Sequence, residues 1–406
     1  MHSERKHGHT MAMPIREVVL GARGSQSAHT QILRGHPWVW MASIDRGLAG
    51  VAPGEWVRVI GPRSEPIGCG LADPGSPIAV RMWAAGTRWV DSELLRARSA
   101  RAVALRRTWV TSDTTAYRVV HGEGDRMPGL VVDRYDSIAV VRTDGAAATE
   151  RVEDFATALW PELNQTGVSC LVHRTGAKGQ EPQIAVLRGG APPDVVHVRE
   201  HGIPFVVDLA HGQKTGAFLD QRENRVRVGQ LASGRRVLNL FSYTGGFSLH
   251  AALGGASHVT SVDIAARAHA TAQASFRLAG VDPSEHTFVT AEVHAFLDSA
   301  RSRGETWDMV ISDPPSYAPS EKALPRALAA YRALHGACVQ VLSQGGIFCA
   351  ASCSSHVDAT SFLHTLDDEA LGGRELTVIE LRGAGADHPC IAAFPEGRYL
   401  KFAILV

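Results

Sequence analysis

Cys353 stands in the run FCAASCSSHV, among serines and just past GGIFCAAS, which reads as a buried strand. Free cysteines are usually small buried hydrophobes. At the end of a strand, however, a cysteine can also present a nucleophile to a pocket. Forty residues upstream, Asp313 opens the run DPPSY. Its two consecutive prolines stiffen the loop and remove backbone donors, so carbonyls and the Asp313 carboxylate stay available to a substrate amine. A thiol and an acid of this kind suit one demanding reaction. Cytosine carbon 5 is a poor nucleophile toward a methyl sulfonium. Adding a thiolate to carbon 6 makes carbon 5 enamine-like, so that it can take the methyl group. Base then removes the carbon 5 proton and the thiolate leaves, which divides one difficult step into easier ones. In that scheme Cys353 is the nucleophile, and Asp313 holds the base through its N3 and exocyclic amine. Cys349 and Cys338 read instead as core residues.

A methyl donor needs its own site. The run FSYTGGFS turns a strand into a helix at Gly245 and Gly246, and the next strand ends at Asp263, 18 residues beyond Gly245. Glycines let backbone approach a ligand, and an acid at the second strand end accepts hydrogen bonds from ribose hydroxyls. The loop is not GxGxxG, the pattern that cradles a dinucleotide pyrophosphate. S-adenosylmethionine has a ribose but no phosphate, so the shorter loop favours it over NAD. Glu292, after a third strand, is placed to accept from the adenine amino group. No metal is expected.

These residues need a scaffold that brings strand ends together. From His201 onward, apolar strands alternate with helices: RVLNLF, GFSLHAAL, HVTSVDI, RAHATAQASFRLAG, WDMVISD, GIFCAAS. That alternation predicts a parallel sheet covered on both faces, whose ligands bind at the carboxyl ends of the strands. Upstream, short β-runs punctuated by Gly and Pro (HPWVW, EWVRVI, PIGCGLA, PIAVRMW) predict a small barrel or sandwich. Between the two lies an α+β stretch. The expected division is a tail over 1–20, a barrel over 21–90, a central α+β domain over 91–198 and an α/β domain over 199–406.

The 406 residues carry 41 basic and 41 acidic side chains, so no net positive field draws in nucleic acid. Binding must come from local patches. One is RWVDSELLRARSARAVALRR, Arg88 to Arg107, a helical pattern in which basic residues outnumber acidic six to two. Read functionally, Arg98, Arg101 and Arg106 contact phosphates; read plainly, they form a solvated face. Six cysteines without a CxxC pair give neither a disulfide framework nor a zinc pattern. That cysteine usage makes a reducing cytoplasm the expected setting, and no apolar run is long enough to span a bilayer.

Several stretches, in order from about residue 30 to 402, resemble one family: GHPWVW, VHGEGDRMPGLVVDRY, GQKTGAFLDQRENR, LNLFSYTGGFSLHAA, DPPSY, SCSSH and FPEGRYLK. They are similar to the S-adenosylmethionine-dependent 5-methylcytosine methyltransferases of large-subunit ribosomal RNA. The resemblance implies an N-terminal PUA barrel, a central α+β domain and a Rossmann-like class I catalytic domain, with RNA as partner and a homodimer as one expected assembly. It implies that Phe241, Tyr243 and Gly245 line the cofactor with Asp263 on its ribose. It places Lys214, Phe218, Asp220 and Arg222 near cofactor and target base. Unlike another branch of such enzymes, the Asp-Pro-Pro loop carries no second cysteine to assist release. Two other readings stay open: methylation of an exocyclic amine or another ring atom, and a non-catalytic RNA-binding or assembly factor.

Overall fold

The computed structural model describes residues 15–21, 28–176 and 182–406. The chain divides into two compact units, one of the described residues up to Leu94 with Asp144–Val152, the other of Leu95–Thr143 and Glu153–Val406.

The first unit is a six-stranded sheet in the order Trp38–Trp40, Ile78–Ala85, Pro66–Ala72, Trp56–Ile60, Glu17–Leu20, Ile44–Arg46. Val57 and Val59 are fully buried and alternate with less buried Trp56 and Arg58, the period-2 signature of a sheet with one inward face. The expected tail is too long by one strand. Val18 and Leu20 alternate into this core, so Glu17–Leu20 pairs with its neighbours. Residues 1–14 lie outside the described residues.

The second unit holds two sheets and a hairpin. A five-stranded sheet runs Gln183–Gly189, Cys170–Thr175, Ile138–Thr143, Leu130–Tyr135, Ala116–His121. The hairpin Val195–Glu200 and Ile203–Asp208 packs Val196, Val198 and Val207 into the same core as Tyr135 and Val140.

The larger sheet has seven strands: β1 Arg236–Leu240, β2 His258–Asp263, β3 Thr287–Thr290, β4 Trp307–Ser312, β5 Leu342–Ser352, β6 Val378–Arg382 and β7 Lys401–Leu405. Their order is β3-β2-β1-β4-β5-β7-β6, all running in one direction except β7, which pairs antiparallel with both β5 and β6. Helix α1 Arg222–Leu231 precedes β1, and α2 Gly246–Leu253, α3 Ala266–Leu278, α4 Val293–Ser302 and α5 Leu324–Gln340 lie between successive strands from β1 to β5. Alternate residues feed two separate cores. Leu238, Val310, Phe348 and Ala350 pack with α4 and α5, whereas Val237, Ile311, Ile347 and Cys349 pack with α1 and α2. Cys338 on α5 fills the first core and Cys349 the second, each fully buried. Among the described residues, no helix is long and apolar enough to cross a membrane.

Candidate active site

β1 ends at Leu240, and the chain then turns sharply. Phe241 (φ 55°), Tyr243 (φ 46°) and Gly245 (φ 74°) all take the left-handed region. For non-glycine residues this costs about 1–3 kcal/mol each and persists where the surroundings over-determine it. Here the surroundings do so. Ser242 N donates to Val262 O (3.0 Å) and Gly245 N to Ser242 O (2.8 Å). Tyr243 N and Ala265 N donate to the two oxygens of Asp263, each at 2.8 Å. Asp263 therefore pins the turn at the end of β2, and each oxygen keeps a lone pair for a ligand hydroxyl. A Cβ on Gly245 would lie 2.8 Å from Ala272 Cβ on α3, which adds a packing reason for that glycine.

The KTGAFLDQ segment crosses the same space. Lys214, also left-handed (φ 55°), sets its ammonium 4.2 Å from the Phe218 ring centroid and 3.3 Å from Asp220 Oδ2. Phe218 meets Tyr243 edge-on at 5.3 Å, and Tyr243 Oη accepts from Gln213 N (2.7 Å). The five-stranded sheet holds this segment in place. Tyr135 Oη lies 2.9 Å from Thr215 Oγ1 and accepts from Ala217 N (3.0 Å), while Thr215 also bonds Asp133.

Asp313 follows β4 directly and Cys353 follows β5 directly. The serines of the cysteine run form a clamp. Ser354 Oγ lies 3.0 Å from Ser316 Oγ and 3.1 Å from Tyr331 Oη, while Ser352 Oγ donates to Tyr331 Oη (3.0 Å). From β7, Lys401 Nζ donates to the Ser354 carbonyl (2.7 Å). Ser316, Tyr331, Ser352, Ser354 and Lys401 thus lock the Asp-Pro-Pro loop to the cysteine loop. Sequence reasoning missed these five. The flanking serines were the available signal, but their partners on α5 and β7 are remote in the chain.

Lys214, Phe218, Asp220, Phe241, Tyr243, Asp263, Asp313 and Cys353 all line one cavity of about 250 Å³. Burial, with the nearby Asp220 charge, pushes Asp313 up to about 7. Burial, then Asp313, pushes the Cys353 thiol up to about 11, while Lys214 pulls it down. Lys401 falls to about 8 through burial.

Gly245 shapes the turn without lining the cavity, and two other expected residues also lie off its wall. Glu292 caps α4, its carboxylate accepting from Ala295 N (2.8 Å). Arg222 is fully buried and donates twice to Asp387, at 2.8 and 3.0 Å. Removing one partner of a buried pair leaves the other charge uncompensated. Asp387→Ala is therefore expected to lower unfolding free energy by about 3–5 kcal/mol, read from urea denaturation. Arg106 needs correction as a phosphate contact. It faces inward from the helix Ser92–Trp109, pairs with Asp125 at 2.6 and 2.7 Å and donates to the Arg118 and Asp387 carbonyls.

Four cavity-lining polar atoms, Asp220 Oδ1, Gln221 Nε2, Ser242 Oγ and His250 Nε2, are buried with no hydrogen-bond partner among the described residues. Unmet polar atoms, aromatic walls and a carboxylate with lone pairs to spare fit S-adenosylmethionine, a flat base on a diol-bearing sugar with a charged tail.

The comparisons agree. A family model for S-adenosylmethionine-dependent methyltransferases matches residues 148–387, and one for a PUA-like domain matches 25–84. The chain is 38% identical over 376 residues to ribosomal RNA large subunit methyltransferase I of Photobacterium profundum, covering 91% of this chain and 94% of the relative. It is 38% identical over 405 residues to a ribosomal RNA large subunit methyltransferase of Deinococcus radiodurans, covering 95% and 97%. SMU.776, assigned as a methyltransferase and crystallised with SAH, superposes with a TM-score of 0.84 at 23% identity, covering 97% of this chain and all of that one. The cavity where the strand ends meet therefore belongs to a known kind of enzyme, and the chain is a member of the S-adenosylmethionine-dependent methyltransferase family that carries an N-terminal PUA-like domain.

Proposed function

We propose that this methyltransferase forms 5-methylcytosine in large-subunit ribosomal RNA through a covalent adduct of Cys353 at cytosine carbon 6. One observation carries the reading: Cys353 opens on the cavity that also holds Asp263 and Asp313. Four other cysteines are buried, and Cys390 is exposed off that wall. The ribosomal substrate is supported by the names of the relatives. Its setting is then the cytoplasm.

When bound, S-adenosylmethionine supplies the methyl group on a cationic sulfonium. Asp263 accepts from its ribose hydroxyls, and Phe241, Tyr243 and Phe218 wall its pocket. The Cys353 thiolate attacks carbon 6. Asp313, with its pKa near 7, donates to the ring N3 as negative charge enters the ring. A neutral Asp313 also no longer repels the thiolate. The clamp of Ser352, Ser354 and Tyr331 holds Sγ against that loop, 4.0 Å from Pro314 O.

The test is bisulfite mapping of ribosomal RNA from cells with and without the gene, paired with 5-fluorocytosine RNA, whose fluorine cannot leave as a proton. Loss of one methylated cytosine and a trapped complex are expected. An unchanged map, or methylation of an exocyclic amine, would overturn the reading.

RNA capture is assigned to the PUA-like unit and to the exposed arginines of the helix Ser92–Trp109: Arg96, Arg101 and Arg107. Neutralising these three, and sparing buried Arg106, should weaken RNA binding and reduce the salt slope by roughly 0.7–0.9 for each phosphate no longer neutralised. Cofactor affinity by calorimetry should not change. An unaltered salt slope would return the helix to a solvated face.

A further inference from the structure

The proposed reaction leaves a carbon 5 proton to remove, and the Asp-Pro-Pro loop offers no second cysteine. The polar groups around the cavity can be sorted by what already occupies them. Asp263 holds two backbone N–H groups of the turn and gives its remaining lone pairs to the cofactor ribose. Glu200 is paired through both oxygens with Arg225. Lys401 Nζ donates to two carbonyls, Ser354 and Tyr399, at 2.7 Å each. Asp313 is needed as a donor to the ring. His250 Nε2 faces Glu200 Oε2 at 3.7 Å. Among the carboxylates of the wall, Asp220 is different. Its Oδ2 accepts from Tyr399 Oη (2.8 Å) and Lys214 Nζ (3.3 Å), which fixes the carboxylate plane. Its Oδ1 is buried, without a partner among the described residues, in the wall shared with Cys353 and Asp313.

Resting on the cytosine-5 reading, we infer that Asp220 Oδ1 is the base that takes the carbon 5 proton from the methylated adduct. In that step the carbon 5–hydrogen bond breaks and its proton goes to Oδ1. The carbon 5–hydrogen pair becomes the carbon 5–carbon 6 double bond, the carbon 6–Sγ bond breaks with its own pair leaving on Cys353 as thiolate, and the N3 proton returns to Asp313. The proton returns to solvent when product departs.

Two features support this assignment. A buried oxygen without a partner is costly unless a ligand or a function uses it. The neighbouring carboxyls are also driven apart: burial pushes Asp313 up, whereas Lys214, His388 and the Tyr399 hydroxyl overcome burial and hold Asp220 well below the usual carboxylate range. Such a pair supplies one proton donor and one proton acceptor in the same site. An acceptor this weakly basic suffices where proton loss is coupled to departure of the thiolate and recovery of an aromatic ring.

The experiment is single-turnover methylation of RNA carrying ordinary cytosine, with methyl transfer and protein–RNA adduct followed separately on denaturing gels. Asp220→Asn keeps the size of the side chain and an acceptor for Tyr399. It should transfer methyl but release product at least about 10²-fold more slowly, so that adduct accumulates where wild type shows none. Added formate should speed release from Asp220→Ala, which a structural role does not explain. Release at the wild-type rate, or equal slowing of methyl transfer and release, would overturn the assignment. If neither variant binds SAH by calorimetry, Asp220→Glu decides. It keeps the charge but displaces the oxygen, and must slow release more than transfer. Wild-type trapping by 5-fluorocytosine RNA is run alongside: its absence would sink the cytosine-5 reading itself, a result distinct from failure of Asp220.

Discussion

Cys353→Ser is expected to yield a folded protein that binds S-adenosylmethionine and turns over several orders of magnitude more slowly. A serine hydroxyl is nearly the size of a thiol, and the clamp of Ser352, Ser354, Tyr331 and Lys401 bonds to the neighbours of Cys353, not to its sulfur. The loop should therefore survive. What disappears is the nucleophile, because an alcohol is far less ionised near neutrality than a thiol. The margin is already narrow in the native protein, where burial and Asp313 push the thiol up to about 11. Cys349→Ala and Cys338→Ala should instead cost stability, since both side chains fill closed cores. The check is methyl transfer together with 5-fluorocytosine trapping. Near-normal methylation by Cys353→Ser, or trapping that required Cys349, would make amine methylation the better account.

Asp313→Asn should likewise lose activity, and its pH behaviour identifies the cause. Below pH 7 Asp313 holds its proton while the thiol must still lose one, so the wild-type rate should rise about tenfold per pH unit. Above about 7, Asp313 loses its proton as fast as thiolate forms, and the two trends cancel to a plateau. An asparagine cannot titrate, so the bend near 7 should vanish from the residual rate. Stability should move the other way. A carboxyl raised from 3.8 to about 7 in the folded state contributes fully at low pH, and that contribution is lost as pH rises through 7. The full cost above pH 7 is at most about 4 kcal/mol, reduced by the partial solvent contact of Asp313. Asp313→Asn should accordingly resist urea better than wild type at pH 8, with the advantage shrinking toward pH 4. Equal stability at both pH values would remove Asp313 as the strained acid.

Where a feature depends on near neighbours in the chain, it was legible. The strands ending at Leu240, Asp263, Ser312 and Ser352 were visible as apolar runs, and the Gly245–Gly246 turn as a break between strand and helix. The left-handed residues Phe241 and Tyr243 left no such mark, because only tertiary packing forces a non-glycine residue into that region. Arg106 shows the opposite failure. Its helix looked predominantly basic, yet one arginine turns inward to an aspartate 19 residues away. Charge counting cannot distinguish the two faces when the buried charge has a remote partner.

By itself, then, the sequence determined the alternation of strand and helix, the chemical types at the strand ends and the kinship that goes with them. Side-chain periodicity and loop composition act over a few residues, and those features need nothing longer. Only the tertiary structure decided which groups share the cavity and what each is free to do. It spends Arg222 on Asp387, 165 residues away, and Glu292 on the first turn of α4. It holds one oxygen of Asp220 with Lys214 and Tyr399 and leaves the other without a partner among the described residues, in the wall shared with Cys353 and Asp313. The reason is that burial and long-range pairing set the availability of a charge, and both arise only when distant segments pack against one another.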